Sequence, residues 1–238
     1  MTTLLLRLAA PLQSWGTSSR FVRRTTDRSP SRSGVIGMLA AAQGRRRTDP
    51  LEDLLELRVG VRVDQTGQME RDFQTARTRD GSTSMPLSYR FYLADAVFAV
   101  AVEGDADLLQ GLDQALRAPA FPLYLGRRSC PPAGRLLHGL DGGTVRERLT
   151  AAPWLASPYV QRRHTGASID LDIVVDCPAD AEDAELVRDE PISFDPRERQ
   201  YGWRTVHRDR VRVANPAIVA PTPTTDPYDP MAAFEEIS

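Results

Sequence analysis

The chain has 238 residues, 30 basic against 32 acidic side chains, and a formal net charge of −2. That length accommodates one large domain with an appendage and a full apolar core, and no apolar run approaches the roughly 20 residues that cross a bilayer. The opening MTTLLLRLAAPLQSWG interrupts a brief apolar stretch with Arg7 and has no small-residue cleavage pattern, so a cytoplasmic protein is expected. Cys130 and Cys177 stand far apart and outside any CxxC pair, which argues against a disulfide framework or a zinc site.

Charge is unevenly placed. The chain has no lysine, and residues 12–47 hold eight arginines (20, 23, 24, 28, 32, 45, 46 and 47) against Asp27. Residues 176–198 hold nine acids against Arg188 and Arg197. The first stretch is suited to a polyanion; the second repels one or meets a basic protein. The alternative is two solvated patches.

In chain order, Thr3–Ala9 alternates Leu4, Leu6 and Leu8 with Leu5 and Arg7, the period of a strand. After an arginine-rich loop, Pro30-Ser31-Arg32-Ser33 caps an apolar helix, GVIGMLAAAQG, that ends at Gly44. Gly34 and Gly37 lower its propensity, so close packing is expected to account for both. Leu51–Leu57 reads as a short helix and Leu57–Val63 as a half-exposed strand. Residues 64–90 are polar, with an Asp80-Gly81 turn signal and Arg71, Arg77, Arg79 and Arg90; they form either a projecting hairpin or a partly disordered loop. Asp95–Val102 suits a central strand and Ala106–Arg117 an amphipathic helix.

This order is most of a β-α-β-β-α-β ferredoxin-like unit in an α+β chain. Ser168–Val175 is one candidate for its last strand, and Tyr201–Val213 an added edge strand. The boundaries read as 1–140 for the main domain, 141–213 for a small C-terminal extension that packs on or completes the sheet, and 214–238 for a loose, proline-rich acidic tail.

The segment FPLYLGRRSCPP, residues 121–132, sets Gly126 and the pair Arg127-Arg128 in a turn pinned by Pro122, Pro131 and Pro132. Two planar guanidinium forks on a short rigid loop suit phosphate oxygens. Pairing of these arginines with nearby acids is the open alternative.

Three blocks then carry a family resemblance: Leu12-Gln13-Ser14-Trp15-Gly16, Pro30-Ser31-Arg32-Ser33-Gly34, and Tyr124-Leu125-Gly126-Arg127-Arg128-Ser129-Cys130-Pro131. In order and spacing they resemble the CasD family, RAMP-superfamily subunits of type I-E CRISPR Cascade. Beyond residue 140 only Asp189-Glu190-Pro191, Arg197 and Trp203 extend the likeness.

The resemblance implies an RRM-like RAMP fold whose insertion at 64–90 is a β-hairpin thumb. It implies a non-catalytic subunit, without cofactor or metal, that grips the 5′ handle of a processed crRNA. The expected neighbours are the backbone subunit and the large PAM-reading subunit; target DNA is met only through the complex, and no membrane is involved. Arg20, Arg23, Arg32, Arg127 and Arg128 would contact phosphates around Gly126 and Ser129. Ser33 and the Gly34 amide would form a helix-start anion site, and Arg77 and Arg79 would brace the handle or a neighbour. Trp15 would stack on a base, unless it belongs to the core.

Subtype I-C relatives cut repeat RNA without metal, so a metal-independent endoribonuclease is the alternative. Its candidate groups are Tyr159 near Arg162, Arg163 and His164, and Tyr201 near His207; His138 is the remaining histidine.

Overall fold

The computed structural model describes residues 1–16 and 23–218. Arg20 and almost all of the proline-rich tail, from residue 219 on, lie outside the described residues. The elements run β1 (Thr2–Ala9), β2 (Leu12–Gln13), β3 (Arg23–Arg24), α1 (Arg32–Ala42), α2 (Glu52–Leu55), β4 (Arg58–Gln65), β5 (Gln68–Gln74), β6 (Ser88–Ala94) and β7 (Val97–Gly104). They continue with α3 (Ala106–Arg117), β8 (Leu137–Gly142), α4 (Val145–Ala151), α5 (Pro158–Arg163), β9 (Ser168–Asp176), β10 (Glu185–Ser193) and β11 (Gln200–Ala214). Among the described residues no helix is long and apolar enough to cross a membrane.

Seven strands form one antiparallel sheet in the order β10-β11-β9-β4-β7-β1-β8. The alternation of β1 sends Leu4, Leu6 and Leu8 into one core with α1 and α3, and Leu5 and Ala9 into a second core with α4. β7 is apolar on both faces because it feeds both: Phe98, Val100 and Val102 join the first, Val97, Ala99 and Ala101 the second. Each fully buried Leu, Val or Phe contributes about 1.5–3 kcal/mol. α3 occupies the predicted span, with Asp105 capping its start and Leu109, Leu112 and Leu116 buried.

Several expectations are corrected. The strand that pairs with the free side of β1 is β8, not residues 168–175; its glycines, His138 and Asp141 hide the alternation. β9 instead pairs with β4 and β11. β11 is not an edge strand, since β10 lies outside it, and β10 comes from the acidic stretch 176–198, to which the sequence pattern assigns no strand. The strand after α2 is buried rather than half-exposed. Arg62 is enclosed there with Asp64, bonded at 2.7 and 2.8 Å, while its other donors reach the carbonyls of Leu149, Ala152 and Pro153. A buried arginine is tolerated only when its donors are matched in this way; in sequence it looks like a solvent-facing residue.

Residues 68–94 take the hairpin form. β5 and β6 pair from Gln68↔Ala94 to Gln74↔Ser88, and a bridge at Arg77↔Ser84 carries the ladder toward the tip. Along the other edge of β6, β2 pairs with its end at the base of the hairpin and β3 with its end toward the tip.

Candidate nucleic-acid interface

The start of α1 is the first place where chemistry was expected. Ser31 caps the helix, its Oγ accepting from the Gly34 amide at 3.2 Å. The Arg32 amide donates to Asp189 Oδ2 at 2.7 Å, so an internal carboxylate already fills the anion position of this helix end. The Arg32 side chain, 5% exposed, bonds Asp176 Oδ2 at 2.6 Å and the carbonyls of Leu57 and Leu55, and its Nε lies 2.5 Å from Glu190. Arg204 closes the cluster by pairing with Asp176 and Asp189. Burial pushes the Glu190 carboxyl above its ordinary value, with Arg32 opposing. Ser33 is buried too. Arg32, Ser33 and Gly34, expected at an RNA contact, form in this structure a joint between α1 and the C-terminal strands.

Trp15 takes the core position left open by the sequence. It is 1% exposed, donates its indole N–H to Gln13 Oε1 at 3.1 Å, and lies against α1. A Cβ at Gly34 would sit 2.8 Å from its ring, which explains that glycine. A Cβ at Gly37 would meet Phe194 at 3.5 Å, an ordinary contact, so packing does not demand glycine there.

The loop 121–132 is docked onto this same region. Leu123 and Leu125 are buried, the Ser14 amide donates to the Leu125 carbonyl at 3.1 Å, and Leu125 and Cys130 close a turn at 2.7 Å. Gly126 adopts φ +92°, and a Cβ there would overlap the Ser14 carbonyl oxygen at 1.6 Å. Only glycine satisfies both conditions. Burial raises the Cys130 thiol, in keeping with a packing role.

The two arginines of the loop part company. The Arg127 guanidinium lies over the Tyr92 ring at 4.7 Å and donates to the carbonyls of Phe91, Arg24 and Thr25 at 3.0, 2.8 and 3.3 Å. It ties the loop to β3 and β6, so these donors are engaged within the chain. Arg128 is exposed and makes no hydrogen bond or ion pair with the described residues; Ser129 beside it is also exposed. Arg23 is placed by its backbone, in β3.

Arg77 and Arg79 sit exposed near the hairpin tip, likewise unpaired among the described residues. Hydrogen bonds from Thr78 and Ser82 hold the Asp80 carboxyl down to about 2, so the tip keeps two cations against one anion at neutral pH. One feature escaped the sequence reading. Register puts Met69, Arg71 and Phe73 beside Leu93, Phe91 and Tyr89 on one hairpin face, where Phe73 is 67% exposed and Arg71 lies 5.5 Å from the Tyr89 ring centroid. The period-2 alternation in QMERDFQ was the available signal.

The arginine-rich run is thus divided by its environment. Arg45 pairs with Asp53 at the far end of α1, Arg32 is internal, Arg24 is exposed beside the docked loop, and Arg28 is exposed at the mouth of a cavity shared with Arg32 and Arg204. The groups of the catalytic alternative are also spoken for in part. Arg163 donates to the Tyr159 hydroxyl at 2.9 Å, and His164 Nε2 lies 3.0 Å from the Ser168 carbonyl. Burial, with Arg135 and Arg7 nearby, pushes His138 below its ordinary value.

The family described as CRISPR-associated protein (Cas_Cas5) matches residues 3–207. The CRISPR system Cascade subunit CasD of Escherichia coli K12 is 35% identical over 163 residues, covering 60% of this chain and 71% of the relative. A chain of a solved CRISPR RNA-guided surveillance complex superposes with a TM-score of 0.74 at 34% identity, covering 93% of this chain and 95% of the other. A second solved Cas protein gives 0.70 at 37% identity, covering 91% and 100%. The ordered loop, the arginine-bearing hairpin and these likenesses agree: the chain belongs to the CRISPR-associated Cas5 family and is of the CasD type.

Proposed function

We propose that this chain is a non-catalytic subunit of a type I-E Cascade surveillance complex that binds the 5′ handle of the crRNA. The observation that carries the reading is the likeness, over 93% of this chain, to a chain of an RNA-guided surveillance complex. The local geometry supports it: Gly126 and Arg127 hold a rigid loop from which Arg128 projects with no ion-pair partner among the described residues. Exposed guanidinium groups on a preordered loop bind single-stranded phosphates without a large ordering cost.

The path β1-α1-β4-β7-α3-β8, with sheet order β8-β1-β7-β4 and both helices on one face, supports a ferredoxin-like unit over residues 1–140. The remaining strands, within 141–213, are read as an extension of that sheet. The β5–β6 hairpin is read as the thumb. Phe73 and Tyr89 supply the stacking surface that Trp15 does not, and Arg77 and Arg79 supply charge. Backbone and large subunits are the proposed neighbours, and the cytoplasm the proposed compartment.

The test is to co-express the chain with the CRISPR-associated proteins encoded beside it and to sequence the RNA that co-purifies. Short spacer RNAs with one constant 5′ handle are expected. Joint Arg77→Glu, Arg79→Glu and Arg128→Glu replacement should weaken handle binding and reduce the log–log salt slope by about 2, from roughly 0.7 per lost phosphate contact. Parental affinity in that variant would move the grip elsewhere. Metal-independent cleavage of repeat RNA, abolished by His164→Ala, would overturn the non-catalytic reading.

A further inference from the structure

The hairpin and the loop 121–132 meet at one side chain. Along the edge of β6 that β5 leaves open, β2 pairs with Leu93 and Ala94, and β3 with Tyr89 and Arg90. Between these two pairings the Phe91 carbonyl accepts from Arg127 Nη1 at 3.0 Å and from the Ser14 hydroxyl at 3.4 Å. Nη2 of the same guanidinium donates to the carbonyls of Arg24, in β3, and Thr25, just beyond it. The buried Tyr92 ring lies 4.7 Å from the guanidinium carbon. One planar group thus fills the interval between β2 and β3 and fastens both, through β6, to the loop that carries it.

This geometry demands arginine. Two nitrogens diverging in a fixed plane reach carbonyls on two separate strands, while the flat face rests on an aromatic ring. Lysine would keep the charge but concentrate its donors on one nitrogen, and so lose the span. On the loop side of the joint stand exposed Arg128 and Ser129. On the hairpin side, Phe73 lies in register with Tyr89 and Arg71 with Phe91, the residue whose carbonyl Arg127 holds. The separation between these two groups of side chains is therefore set where Arg127 is bonded.

We propose that Arg127 is a positioning residue: it holds the hairpin and the loop 121–132 at a fixed separation so that one RNA strand meets both, and it contacts no phosphate itself. The inference rests on the RNA-binding reading above and adds to it an energetic coupling between the two surfaces. A strand held at one surface is preoriented for the other, so losing either contact removes part of what the other contributes.

The experiment measures binding of the full chain to the constant 5′ segment of the co-purified RNA, synthesised with a fluorophore, by anisotropy. Arg127→Lys and Arg127→Gln are both expected to keep the parental circular dichroism, to bind about tenfold more weakly, and to share one salt slope. Near-parental affinity in Arg127→Lys, with a slope lower by about 0.7 in Arg127→Gln, would make Arg127 a phosphate contact and overturn the inference. The second arm leaves Arg127 in place and combines Phe73→Ala with Arg128→Ala, both at exposed positions. The double variant should bind about fivefold more tightly than the product of the two single losses implies, and that excess should vanish in the Arg127→Lys background. Losses that simply multiply in the parental background overturn the coupling and leave the handle reading standing. If the parental chain binds a scrambled strand as tightly as the handle segment, the handle reading fails; the same cycle run with the scrambled strand then upholds the coupling by its excess or overturns it by multiplicative losses.

Discussion

Arg32 and Arg128 carry the same side chain into opposite surroundings. Arg32 is enclosed by Asp176, Glu190 and two backbone carbonyls, with Arg204 reinforcing the acids from the other side. Arg128 projects from a loop whose own rigidity is supplied by its neighbours, Gly126 and Arg127. The difference lies in whether a carboxylate is within reach. Where the acidic C-terminal strands fold back over α1, an arginine becomes a joint; where no acid among the described residues approaches, it remains available to a polyanion.

The largest way to break this comparison is Arg32→Ala. It leaves Asp176, Asp189 and Glu190 sharing Arg204 alone in a largely buried cluster, at a cost of about 3–5 kcal/mol. Chemical denaturation should show that loss, with RNA binding declining only as the fold does. Lost RNA affinity in a fully folded Arg32 variant would erase the distinction between the two arginines.

Gly126→Ala comes next. It adds strain at φ +92° and an overlap with the Ser14 backbone, so a loss on the order of 2–3 kcal/mol is expected, together with weaker RNA binding as Arg128 is displaced. An unchanged melting temperature would show that the loop is not held as described.

Phe73→Ala sharpens the contrast from the other side. Stability should stay within about 0.5 kcal/mol because the ring is exposed. Handle RNA affinity should fall by about 1–3 kcal/mol if a base stacks there, as measured by fluorescence anisotropy.

The smallest effect concerns pH. Burial raises the Glu190 carboxyl, so its contribution to stability is fully present below its ordinary value of 4.5 and is lost as pH rises through the folded-state value. Glu190→Gln should flatten the stability profile over that window while leaving the acid limb set by Asp170 and Asp209, which Arg212 and Arg146 hold low. Superimposable profiles for the parent and Glu190→Gln would remove Glu190 from the account.

Much of the fold was legible in local pattern. The alternation of Thr3–Ala9, the doubly apolar Asp95–Val102 and the amphipathic Ala106–Arg117 each coincide with β1, β7 and α3, because period and burial are properties of neighbouring residues. The rigid turn at Gly126 was legible for the same reason: glycine, proline and paired arginines act within a few residues of one another. β8 was not legible, since a glycine-rich edge strand has little apolar signature.

Nor was the fate of the charges. Residues 12–47 and 176–198 announced opposite signs, but only the sheet order, which sets β10 and β11 beside the start of α1, decided that Arg32 would meet Asp176 and Glu190 while Arg128 would meet no acid among the described residues. Sequence determined the element periods, the tight turn and the family likeness. The tertiary structure decided which arginines are consumed among the described residues, because pairing across 144 residues depends on long-range strand order and not on local spacing.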